Sequence, residues 1–100
     1  MPMQRNELLA KIRALRPQLE AEGVDHIALF GSRARGDDRP ASDVDLLIEV
    51  DPARLFSLLD LIGVEHIVQR ATGISANALM RRSLDRDFAT AIADDIVEVF

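Results

Sequence analysis

The sequence predicts an α/β domain in which helices pack on a small sheet of about three strands. Apolar residues recur at helical spacing near the amino terminus and again in the middle of the chain. Short apolar runs with strand patterning lie between and after those blocks, and clusters of Gly, Pro, Asp and Ser separate them. The order reads helix, strand, strand, helix, strand, helix.

Leu8, Ile12, Leu15 and Leu19 step by 4, 3 and 4, the stripe of an amphipathic helix. Pro17 cannot donate to the carbonyl four residues back, so the helix either kinks or ends near Leu15, with a short second helix carrying Pro17 in its first turn. Gly23 suits the end of that segment. His26 to Phe30 is short and apolar, the pattern of a buried strand, and Gly31 to Ser42 reads as a loop with one helical turn starting at Ser32. From Asp43 to Val50 the chain alternates: Val44, Leu46, Ile48 and Val50 share one face, and Asp43, Asp45, Leu47 and Glu49 the other. Asp51-Pro52 ends this strand and opens a helix from about Ala53 to Thr72, closed by Gly73. Ala76 to Met80 reads as a weak third strand and Leu84 to Asp95 as a last helix. Ile96 to Phe100 is either a short strand or a packed tail.

The chain has 100 residues, which is the size of one domain spanning 1–100 with a single core. Hydrophobic residues make up 48% and no cysteine is present, so disulfides and thiolate metal sites are excluded. With no secretory signal, this favours the cytoplasm. No apolar run approaches the roughly 20 residues of a membrane span. A net charge of −5 disfavours bulk nucleic acid, and the four aromatics, all Phe, offer little stacking surface for single strands. Arginines cluster locally instead, at Arg33, Arg35 and Arg39 and at Arg81, Arg82 and Arg86, a pattern suited to a small anionic ligand. His26 and His66 are isolated and read as boundary and helix-surface residues rather than ligands.

The chemistry-bearing segment is Leu29-Phe30-Gly31-Ser32-Arg33-Ala34-Arg35-Gly36, followed by Ser42-Asp43-Val44-Asp45. Asp43 and Asp45, two apart on a strand, project to the same face about 6.6 Å apart along the backbone. Two such carboxylates can bracket divalent cations, and magnesium accepts one or two carboxylates with substrate phosphates completing its shell. Gly31 lets the backbone approach a phosphate with no Cβ in the way, and Ser32 is expected to cap a helical turn and to lend its hydroxyl. Arg33 and Arg35 are forked cationic donors suited to phosphate oxygens. Taken singly, Asp-x-Asp, a Gly-Ser turn and Arg-Ala-Arg are each common features of solvated loops. Together, at this spacing and between two strands, they indicate a nucleotide-handling site.

Gly31-Ser32, ten residues, then Asp43-Val44-Asp45 resembles the signature of the DNA polymerase beta-like nucleotidyltransferase superfamily. The chain is similar over its length to the minimal nucleotidyltransferase (MNT) branch, which the run from Leu29 to Asp37 matches closely. The resemblance implies a mixed sheet, a nucleoside triphosphate (ATP in the first instance) with Mg2+, and transfer of AMP or another NMP to a hydroxyl. It implies Asp43 and Asp45 as catalytic metal ligands, with Gly31, Ser32, Arg33 and Arg35 at the nucleotide. It also implies an antitoxin role beside an all-helical HEPN toxin that receives AMP on a tyrosine. The family places a third acidic residue on the next strand. Aligning Gly73 and Arg81-Arg82-Ser83-Leu84 puts Asn77 there, a residue without charge and unable to act as a base. A catalytically impaired antitoxin that neutralises its partner by complex formation is therefore the rival expectation. Glu65, Asp85 and Asp87 are the other acids considered for that place.

Overall fold

The computed structural model describes residues 3–100. Helix α1 (Arg5–Ala14) stops one turn before Pro17, and α2 (Arg16–Ala21) carries that proline in its first turn, where its missing N–H has no partner to lose. Leu8, Ile12 and Leu19 are buried on a common stripe. Strand β1 (Val24–Phe30) begins two residues earlier than the apolar run suggests. A single turn of helix, α3 (Ser32–Arg35), leads into a loop, and β2 follows (Val44–Val50). Helix α4 (Leu58–Thr72), strand β3 (Ala76–Met80), helix α5 (Arg86–Ile92) and strand β4 (Val97–Glu98) complete the chain.

Four strands form the sheet, not about three, in the order β3-β2-β1-β4. β1 is antiparallel to β2 and to β4, while β2 and β3 run parallel. The added strand pairs Val97 with Leu29 and Glu98 with Ala28, and the bond from Val99 N–H to Ile27 O extends it. Of the two alternatives for Ile96 to Phe100, the short strand is the one formed, over Val97–Glu98.

Two further expectations are corrected. Helix α4 does not begin near Ala53. Asp51 accepts the Ala53 N–H and turns the chain, and Ser57 and Asp60 form a reciprocal capping box that starts the helix at Leu58. The last helix is shorter than Leu84 to Asp95. The Asp85 carboxylate accepts the Phe88 N–H at 2.8 Å and starts α5, and a 3-10 turn at Ala93–Asp95 follows it.

The sheet has two unlike faces. On one, Ile27, Leu29, Val44, Leu46, Ile48, Ala76 and Ala78 pack against Leu8, Ile12 and Leu19 of α1 and α2 and Val64 and Val68 of α4. On the other, Ala28, Phe30 and Leu47 meet Ile92, Leu84 and Ile96. Asp43, Asp45 and Asn77 belong to this second face. At the outer edge of β3, two α4 side chains take up the backbone donors: Gln69 accepts from Ala76 N–H at 3.0 Å and Glu65 from Ala78 N–H at 2.7 Å. Among the described residues, no helix is long and apolar enough to cross a membrane.

Candidate active site

The ladder itself assembles the site. Phe30 on β1 pairs with Asp45 on β2, and Asp45 pairs with Asn77 on β3, so the three side chains form one row across the second face. Asp43 lies one step outside the row, just before β2 begins. The Asn77 amide on the neighbouring strand donates to Asp43 Oδ2 at 2.9 Å.

Gly31 ends β1 directly over Asp45. Its backbone sits at φ 79°, ψ −158°, a region open essentially to glycine alone. A Cβ built there would lie 2.5 Å from Asp45 Oδ2. Gly31 occupies the cap position of α3, so Ser32 is the first residue of the turn and not its cap, and no side chain caps it. The expected capping role of Ser32 is thereby corrected, and its half-buried side chain stands beside Gly31.

Burial beside Phe30 pushes the Asp45 carboxyl above the ordinary carboxylate range, and the negative charge of Asp43 adds to this. The adjacent Asn77 amide and the positive charge of Arg35 act in the opposite direction without cancelling it. Arg35 is exposed and donates from Nε to Asp37 at 3.1 Å and from Nη1 to Asp95 at 2.9 Å, so its positive charge is held near the carboxylates. Bonds to Asp37 and Asp95 raise its pKa above the ordinary arginine value.

Arg33 is placed differently from Arg35. Only 4% of it is exposed, and it is the one buried charged residue among those described. Its Nε and Nη2 both donate to Ser42 O, at 2.9 and 2.6 Å, and Nη1 meets Asp38 at 3.1 Å. This guanidinium is committed inside the chain and is not presented to a phosphate. Local sequence gives no hint of it, because its partners are a backbone carbonyl and an acid across the loop.

The remaining acids stay away from the row. Glu65 is bonded to β3 backbone and Asp85 caps α5, and Asp87 lies in the first turn of that helix. Arg81 pairs with Glu49 and Glu98 beyond the far end of β2 and β3. Among the described residues, no three His, Cys, Asp or Glu side chains come together as a metal-holding group. The donor set therefore fits one divalent cation held by Asp43 and Asp45, with the Asn77 carbonyl and substrate oxygens as further donors. A cleft of about 480 Å³ lies to the side, lined by Met3–Asn6, Arg35, Gly36, Asp38 and Pro40. It excludes both aspartates, which sit on the open sheet.

A family model described as a nucleotidyltransferase domain matches residues 9–98. The chain is 32% identical over 80 residues to the protein adenylyltransferase MntA of Thermococcus cleftensis, which covers 80% of this chain and 79% of that protein. A solved structure provisionally named a minimal nucleotidyltransferase superposes with a TM-score of 0.78 at 25% identity, covering 95% of each chain. The tri-AMPylated Shewanella oneidensis HEPN toxin in complex with MNT antitoxin offers another neighbour, with a TM-score of 0.69 at 14% identity. That match covers 97% of this chain and 72% of the other, and at such identity the likeness is one of fold alone.

Proposed function

The chain belongs to the nucleotidyltransferase domain family, and from that premise we propose that it binds Mg-ATP and transfers AMP to a hydroxyl acceptor, with a HEPN-type toxin as the protein that carries the acceptor. The observation that carries this reading is the convergence of Gly31, Asp43 and Asp45 on one face of the sheet, where Gly31 packs so closely on the Asp45 carboxylate that a Cβ would lie 2.5 Å from Asp45 Oδ2. The name of the MntA relative and the AMPylated state of the toxin in the structural neighbour support adenylyl transfer over other nucleotidyl groups.

In this reading Asp43 and Asp45 hold Mg2+, which when bound offsets phosphate charge and polarises the α-phosphate. Gly31 admits the phosphates close to the backbone, the Ser32 hydroxyl donates to them, and Arg35 contributes positive charge from the rim. The acceptor oxygen forms a bond to the α-phosphorus while the bond from that phosphorus to the β-phosphate oxygen breaks, and pyrophosphate leaves. The acceptor proton must go to a base. The Asn77 amide has no basic atom and Asp43 and Asp45 are taken up by the cation, so the proton passes to solvent water.

One observation favours a second reading. Asn77 places an amide donor where a carboxylate would strengthen the cation site, and a protein that works by complex formation alone tolerates that change. Incubation with α-labelled ATP, Mg2+ and the HEPN-type protein separates the two. Label on the partner that vanishes with Asp43→Asn supports transfer. Neutralisation that persists without label, and survives Asp43→Asn, supports binding alone.

A further inference from the structure

We propose that Arg33 is a positioning residue for Asp43: a strut that fixes the separation between the Gly31-Ser32 turn and the first carboxylate of the pair. This rests on the reading of Asp43 as a cation ligand. Arg33 is the second residue of α3, so its backbone moves with Gly31 and Ser32. Its fork grips the carbonyl of Ser42, the residue immediately before Asp43, through two bonds of 2.9 and 2.6 Å. The remaining arm is held by Asp38 at 3.1 Å, and the same turn is tied again where Ser42 Oγ accepts from Arg39 N–H.

The geometry matters because Asp43 lies outside the strand. Asp45 is fixed by the ladder on both sides, through Phe30 and Asn77. Asp43 precedes the first ladder residue, and its backbone is steered by the loop that Arg33 spans. A carbonyl gripped by two donors of one planar group is fixed in direction as well as distance. Burial of this arginine is consistent with a fixed role, since a charge taken from water must have its donors satisfied, and no buried side-chain polar atom among the described residues lacks a partner. Phosphate binding would require the fork to abandon Ser42 and release Asp43 at the moment of use.

The test is Mn2+ binding, read by electron paramagnetic resonance, on wild type, Arg33→Lys, Asp38→Asn and Asp43→Asn, with thermal unfolding in parallel. Lysine keeps the charge but cannot fork. Arg33→Lys is expected to fold and to weaken Mn2+ binding about 10-fold, the effect typical of losing a group that orients a ligand. A merely structural role lowers the melting temperature and leaves the affinity of the folded fraction unchanged, and that result overturns the proposal. If Arg33→Lys does not fold, Asp38→Asn decides in its place: a roughly threefold loss supports the strut, and unchanged affinity overturns it. Asp43→Asn tells the two failures apart. If it too leaves Mn2+ binding intact, the cation reading itself is wrong, whereas if it alone abolishes binding, only the role of Arg33 falls.

Discussion

Asn77 of β3 and Asp43, the residue just before β2, are joined by a 2.9 Å hydrogen bond, so the carboxylate nearest the loop leans on an amide. Replacing that amide with a carboxylate puts a third negative group beside Asp43 and Asp45. Asn77→Asp is expected to destabilise the metal-free protein by about 1 kcal/mol, from a lost hydrogen bond and like-charge repulsion. Mg2+ should reverse the loss, and any transfer activity should rise. Urea unfolding in EDTA and in Mg2+ checks this. A variant indifferent to Mg2+ would mean that these side chains do not share a cation.

Gly31→Ala meets two obstacles at once, a backbone conformation that a Cβ disfavours and the Asp45 carboxylate 2.5 Å from that Cβ. Together they should cost about 2–3 kcal/mol. The double variant Gly31→Ala, Asp45→Ala removes the clash but not the strain, so it should recover part of the loss beyond additivity. Denaturation of the four members of this cycle measures that coupling.

Asp45 carries a pH signature. A carboxyl whose pKa rises on folding holds its proton more tightly in the folded chain, so ionising it costs stability. That cost is absent below the ordinary carboxylate range, grows as pH rises through the interval up to the raised value, and is complete above it. In EDTA at neutral pH, Asp45→Asn should therefore stabilise the protein by up to about 1 kcal/mol, given the partial exposure of the group. The gain should shrink on acidification, and it should turn into a loss when Mg2+ is supplied to the wild type. Melting curves across pH 3 to about 7 follow it.

Ser57→Ala removes one half of the capping box and should cost about 1 kcal/mol. The residue lies at the start of α4, away from the aspartates, so Mg2+ and nucleotide binding should be unaffected. Calorimetric titration of the variant with Mg-ATP, beside its melting curve, tests both halves.

Sequence and structure agree where the signal is local or alternates strongly. The break at Pro17, the turn at Gly31, the two faces of Val44–Val50 and strand Ala76–Met80 were all readable from their own residues. The place of Asn77 on the strand beside Asp43 came from the family resemblance, aligned on Gly73 and Arg81-Arg82-Ser83-Leu84, and not from spacing. The start of α4 was missed because Asp51-Pro52 resembles a helix opening, while the true cap uses Asp60 where Glu is the familiar partner. Ile96 to Phe100 left strand and packed tail open, and pairing with β1 decides for the strand, while the burial of Arg33 rests on a backbone carbonyl and the course of the loop, which residue types alone do not show.

The donors of Ala76 and Ala78, engaged by Gln69 and Glu65, leave that margin of the sheet without hooks for a foreign strand. The margin one strand away from the aspartates is thus partly stoppered from within, which disfavours sheet growth from one molecule to the next there. Molecules crowded together at high concentration would keep their acidic row open to small diffusing ligands rather than bury it in a fibre.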